Sequence, residues 1–166
     1  IVDYDDRNTC LLFGDAAGAV VLEAREGERG ILSSHLHADG SYLELLYQPG
    51  FGTAITPTEQ GVRDRGFFLK MQGNEVFKVA VKMLAEVAQE ALEANDMTID
   101  DIALLIPHQA NIRILEATAK RMQLPAEKVY INVDRFGNTS AATIPLALDE
   151  ANRAGKLKEN DIIVLN

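Results

Sequence analysis

The order of apolar and polar positions divides the chain into short strand-like runs and longer helical stretches. Residues 10–14 (CLLFG), 18–24 (GAVVLEA), 30–38 (GILSSHLHA), 101–108 (DIALLIPH), 128–133 (KVYINV) and 161–166 (DIIVLN) are rich in β-branched and apolar side chains and predict strands. Between and before the last three lie helical patterns. Residues 75–95 place Val76, Val79, Ala80, Met83, Leu84, Val87, Ala91 and Leu92 at helical spacing, a stripe wide enough to pack on a sheet. Residues 112–122 and 141–154 repeat the arrangement. Nearly continuous apolar strands alternating with such helices predict parallel strands buried between helices, an α/β fold. Residues 39–66 have many Gly, Pro and Thr and little periodicity, and read as one long connection. No internal repeat or low-complexity tract is present.

Composition narrows the class. With 166 residues and 47% hydrophobic content the chain can bury one respectable core, so a single globular unit is expected. No apolar run approaches the roughly 18 residues of a membrane span, and the opening IVDYDDRN lacks the basic start and apolar stretch of a signal peptide. No membrane partner is expected. A net charge of −9 repels phosphate backbones and argues against nucleic acid as a partner. The single cysteine, Cys10, excludes an internal disulfide framework and a multi-thiolate metal site. A cytoplasmic location is the expectation. The chain starts without methionine and stops on an apolar strand, which reads as a fragment.

Two strand ends carry polar groups suited to a ligand. His108 follows the run IALLI and precedes a helical pattern, and ligands of open α/β sheets gather at strand carboxyl ends, beside the free N–H groups of the next helix. The plain alternative is a histidine that only closes the strand. After KVYINV comes DRFGNTSAA, where Gly137 permits a tight turn and Asn138 offers an amide donor and acceptor; an ordinary turn and helix cap is the alternative there. Neutral His and Asn together can donate hydrogen bonds to one carbonyl oxygen and stabilise the enolate or oxyanion that develops on it. FGDAAGAVVLE lacks the setting of a dinucleotide site and reads as a tight hairpin or close-packed turn. Arg113, Lys120 and Arg121 share one helix, with Lys78 and Lys82 on the long one, either as a basic patch or as a solvated face. Cys10 has no neighbouring cation or helix N-terminus to activate it and reads as a small buried core residue.

The phrases DRNTCLLFGDAAGAVVLEA, MQGNEVFKVAV, PHQANIRILEATAKRM and DRFGNTSAATIPLALDEA, in this order, resemble the C-terminal half of β-ketoacyl-acyl-carrier-protein synthase III. The resemblance implies a thiolase-like fold of two similar α/β halves in a layered α-β-α-β-α arrangement, usually a homodimer, with residues 1–166 as the C-terminal half-domain. It implies an acyltransferase that starts type II fatty acid synthesis: a cysteine takes an acyl group from acetyl-CoA or another short acyl-CoA, and malonyl-acyl-carrier protein loses carbon dioxide and attacks it. No cofactor or metal is implied, since acyl-CoA and the carrier protein's phosphopantetheine are substrates. The family's catalytic histidine and asparagine fall on His108 and Asn138. Its pantetheine contacts fall on Asn111, Gly73 and Phe77. Its contacts to the acidic acyl carrier protein fall on Arg113, with Lys78, Lys120 and Arg121 nearby. The nucleophilic cysteine belongs to the N-terminal half, and Cys10 does not correspond to it; the glycine-rich segment that follows DIIVLN in the family is also outside this chain, and Ala16 stands where the family has glycine. A fragment of this kind is expected to be inactive alone. The rivals are a related polyketide- or quinolone-type synthase and a half-domain that binds carrier protein without chemistry.

Overall fold

The computed structural model describes residues 1–27, 29–53 and 55–166. Where one core is expected, contacts divide the chain into two compact units: residues 1–13 with 37–79, and residues 14–36 with 80–166.

The first unit contains the expected long connection, and short elements form within it. Asp39 caps a 3-10 helix, Gly40–Leu45, by accepting the Ser41 N–H at 2.9 Å. Strand β1 (Leu46–Tyr47) pairs antiparallel with β2 (Lys70–Met71). Helix α1 (Glu59–Arg63) starts at Thr58, whose hydroxyl accepts the Gly61 N–H. Phe51, Phe67 and Phe68 stack beside it, with ring centroids 5.6 and 4.1 Å apart. Asp3, only 4% exposed, is held by Arg65, which also reaches Asp5 at 3.1 Å. A sequence reading misses these elements because single turns fixed by caps, aromatic pairs and an ion pair leave no periodic signature.

Helix α2 (Gly73–Glu93) belongs to the first unit up to Val79 and to the second beyond it. The second unit is built on β3 (Ile102–Ile106), paired in parallel with β4 (Ile162–Leu165). These are the strands expected from IALLI and IIVL. Ala85, Ala88 and Leu92 of α2 pack on one side with Ile102, Leu105, Met122 and Val164; Ala147 and Ala151 pack on the other with Leu104, Ile106 and Tyr130. Strand β3 is thus covered on both faces, as its unbroken apolar run requires. The register slips between Ile102 and Leu104, two steps along β3 against one along β4. That extra residue puts Leu105 on the same side as Ile102, and Leu104 and Ile106 on the other.

Helix α3 (Ile112–Met122) has the expected bounds. Asn111 caps its start by accepting the Ile114 N–H at 3.0 Å, and Gln123, at φ 57°, closes it in the left-handed region. Lys120 and Arg121 in its last turn complement the helix dipole. Helices α4 (Val133–Phe136) and α5 (Thr143–Arg153) follow.

Four strand expectations fail. KVYINV supplies one parallel bridge, Leu105 to Val129, and a bond from the Tyr130 N–H to the Leu105 carbonyl; its end turns into α4. Residues 10–14, 18–24 and 30–38 form no strand. Strand propensity is a preference for a pleated, half-buried surface, and it becomes a strand only beside a partner. Val21 is 89% and Leu36 90% exposed, so residues 18–24 and 30–38 have no such surface beside them among the described residues. Cys10 accordingly lies half-buried in a turn, where its N–H donates to the Asp6 carbonyl, and not in a core strand.

Candidate functional site

The carboxyl end of β3 brings His108 and Asn138 into one hydrogen-bonded chain. The β3 backbone continues through Pro107, and the His108 N–H donates to the Asn166 carbonyl just beyond β4, which holds the backbone at that point. The imidazole Nδ1 lies 2.8 Å from Thr143 Oγ1. Thr143, 2% exposed, donates its hydroxyl hydrogen to the Ser140 carbonyl at 3.0 Å. The Ser140 N–H in turn donates to Asn138 Oδ1 at 2.9 Å. Partial burial pushes the His108 pKa below its ordinary value near 6.5, because the charged ring loses hydration without gaining a countercharge. The ring is therefore neutral at pH 7.

The turn that presents Asn138 depends on two unusual backbone positions. Gly137 has φ 70° and ψ −166°, a conformation that suits glycine, as its place in the sequence predicts. Ser140 has φ 55°, in the left-handed region, and both its N–H and its carbonyl are bonded within the chain described above. Residues 14–18 run closely against this turn. The Gly14 N–H donates to the Asn138 carbonyl at 3.0 Å, and a Cβ at Gly14 would strike the Phe136 carbonyl oxygen. A Cβ at Gly18 would strike the Pro145 ring. The close-packed reading of FGDAAGA holds, and its glycines are needed for proximity.

Gln109, 1% exposed, ties the two strand ends together. Its Nε2 donates to the Pro107 and Tyr130 carbonyls at 2.9 and 3.0 Å, and its Oε1 accepts the Asn132 and Val133 N–H groups at 2.9 and 3.2 Å. The side-chain amide thus takes over where the Val129 strand stops pairing with β3. Gln109, Thr143 and Gly14 are the residues that sequence reasoning missed. Nothing local signals them, because each acts on a residue far along the chain; the pairing of Thr143 with His108 spans 35 positions.

The remaining candidates are placed as follows. Asn111 is half-buried and uses Oδ1 to cap α3, so a ligand contact from it would come from Nδ2. Arg113, Lys120 and Arg121 lie on the exposed side of α3, and Arg121 is 3.4 Å from Glu86 of α2. Arg113 and Lys120, seven residues apart, share one stripe. Gly73, Phe77 and Lys78 belong to the first unit: Gly73 opens α2, Phe77 is half-buried, and Lys78 pairs with Glu75 at 2.7 Å. The structure gathers His108, Asn138 and Asn111 at one strand end and leaves Gly73 and Phe77 in a separate unit. Among the described residues no three His, Cys, Asp or Glu side chains cluster as a metal site would need.

A parallel strand pair enclosed by helices, with polar groups presented at its carboxyl end, makes the second unit α/β. A crystal structure of 3-oxoacyl-[acyl-carrier-protein] synthase III from Aquifex aeolicus matches 99% of this chain and 48% of its own, with a TM-score of 0.87 at 43% identity. The corresponding structure from Pseudomonas aeruginosa gives 0.88 at 37% identity, again over 99% of this chain and 50% of its own. Residues 1–40 match the family model for 3-oxoacyl-[acyl-carrier-protein (ACP)] synthase III, and residues 92–166 match the model for its C terminal. The chain belongs to this family, whose 3-oxoacyl group is also called β-ketoacyl. Among relatives, the β-ketoacyl-[acyl-carrier-protein] synthase III of Xanthomonas campestris is 54% identical over 170 residues, covering 99% of this chain. The chain spans about half the length of the curated relatives it matches.

Proposed function

We propose that this chain forms the C-terminal half of an acyltransferase that joins a short acyl group, from acetyl-CoA or a similar thioester, to malonyl-acyl-carrier protein with loss of carbon dioxide, as the first condensation of fatty acid synthesis. Residues 1–166 act in it as one half-domain. The observation that carries the reading is the pair of neutral polar side chains, His108 and Asn138, joined through Ser140 and Thr143 at the carboxyl end of a buried parallel strand. In this reading their nitrogens hydrogen-bond the malonyl thioester carbonyl. The carbon–carbon bond to the carboxylate breaks, carbon dioxide leaves, and its electron pair becomes the enolate held by those two groups. The enolate carbon then attacks an acyl-cysteine carried by the other half of the enzyme; the tetrahedral adduct collapses, the β-ketoacyl chain stays on the carrier protein, and the cysteine thiolate is released. A neutral imidazole suits this role, since the enolate needs hydrogen-bond donors and not a proton transferred to carbon.

The partners follow from the same reading. Arg113, Lys120 and Arg121 on α3, with Lys78 on α2, meet the acidic carrier protein, and a local patch of this kind is the one way a chain of net charge −9 attracts an anion. Asn111 in the second unit is a contact to the pantetheine arm, and Gly73 and Phe77 are assigned to the same arm within the first unit. The complete enzyme is a cytoplasmic homodimer that uses no metal or cofactor, and acyl-CoA and carrier protein are its substrates. The test is turnover by the complete enzyme against a panel of short acyl-CoA primers, with malonyl-carrier protein or malonyl-CoA as extender. Condensation of acetyl-CoA with malonyl-carrier protein is expected; turnover with CoA-bound extenders alone would overturn the fatty-acid assignment.

A further inference from the structure

In the chain from Asn138 to His108 the placing of the hydrogens turns on the Thr143 hydroxyl. The Ser140 N–H can only donate, so the Asn138 atom 2.9 Å away is Oδ1, and Nδ2 remains as a donor. Thr143 has one hydroxyl hydrogen. The Ser140 carbonyl, which has none, receives it at 3.0 Å. Thr143 Oγ1 then meets His108 Nδ1, 2.8 Å away, with a lone pair, and a hydrogen bond there requires the hydrogen to sit on Nδ1. A neutral imidazole carries one N–H, so Nε2 is a bare acceptor.

We propose that Thr143 is a positioning residue that sets the tautomer of His108, holding the ring at rest with its hydrogen on Nδ1, so that Asn138 is the only preset donor of the pair. This deepens the function proposed above and rests on it for the identity of the carbonyl. A donor at Nε2, which the enolate needs, becomes available when the Thr143 hydroxyl turns its hydrogen from the Ser140 carbonyl to Nδ1. The ring then loses the Nδ1 proton to water and gains one from water at Nε2, with no change in charge. The turn leaves no buried carbonyl bare, because Ser140 O also accepts the backbone N–H of Thr143 in either state. One hydroxyl rotation therefore exchanges an acceptor for a donor at the point where substrate binds. The lowered pKa of His108 keeps both states neutral at pH 7.

The test reads the tautomer directly. Long-range proton–nitrogen correlation spectra of the chain labelled with 15N-histidine, at pH 7.5, separate N–H nitrogens from bare ones; His108→Gln assigns the signal among the three histidines. Wild type is expected to show the hydrogen on Nδ1. Thr143→Ser, which keeps the hydroxyl, is expected to match it, and Thr143→Val to move the ring to the Nε2–H form. Wild type with its hydrogen on Nε2 would overturn the proposal, as would Thr143→Val with it still on Nδ1. If Thr143→Val fails to fold, the wild-type and Thr143→Ser spectra decide. None of these readings needs turnover, so a complete enzyme that fails to condense would overturn the function and leave the tautomer standing.

Discussion

Gln109 uses every hydrogen-bonding position of its buried amide on backbone groups of two separate turns. Gln109→Ala would leave two carbonyls and two N–H groups without partners, and at about 1–3 kcal/mol for a buried polar group left unpaired, offset by local relaxation and water entry, the expected loss is about 3 kcal/mol. A denaturation midpoint within error of wild type would contradict this. His108 adds a pH dependence. In the unfolded chain the ring takes up a proton near pH 6.5, while the folded ring resists it, so unfolding absorbs a proton in that window. Its share of stability is complete above about 6.5 and declines as pH falls through and below that value. Asp3, held low chiefly by Arg65, and Glu150, held low chiefly by Arg135, contribute stability that is lost only as pH falls into and below the carboxylate range. Melting temperature against pH is therefore expected to fall in two stages, the upper one absent in His108→Gln. At this scale the sequence displays His108, which follows an apolar run, and Asn138, which follows a turn glycine, but hides Thr143 and Gln109, which bond to groups distant in the chain.

At the scale of elements, α3 is the most legible, since its apolar stripe, its Asn111 cap and its basic last turn agree. Its exposed side makes a separate prediction. Arg113→Glu is expected to weaken binding of the acidic carrier protein to the complete enzyme by about tenfold at low salt, with the difference shrinking as salt screens it. Affinity unchanged at every salt concentration would remove the patch from the account. Strands β3 and β4 are legible because each finds its pairing partner within the chain. Residues 18–24 and 30–38 have equally strong strand patterns and form none, because pattern specifies which side chains prefer burial and not whether a neighbour exists to bury them. The KVYINV segment fails differently. After Tyr130 its N–H groups at Asn132 and Val133 turn to the Gln109 side chain, which ends the ladder. Residues 39–66 were opaque because their helical turns are too short to establish a period.

For the whole molecule, the apolar residues left on the surface are as informative as the core. Val20, Val21 and Leu22 are all exposed in one run, and Ile31, Leu32 and Leu36 in another, although their sequence is that of buried strands. The chain spans about half the length of the curated relatives it matches. Among the described residues no helix is long and apolar enough to cross a membrane. The α/β class was readable from the alternation of β3, α3, α5 and β4; the division into two compact units was not, because continuity of composition conceals where contacts thin out. The central claim is that His108 and Asn138 stabilise the enolate of a malonyl thioester. Its most direct test is release of carbon dioxide from malonyl-carrier protein by the complete enzyme, comparing wild type with His108→Ala. The account predicts a loss of about 100-fold or more in His108→Ala, the scale of removing one oxyanion donor. Decarboxylation at the wild-type rate in a folded His108→Ala enzyme would contradict it.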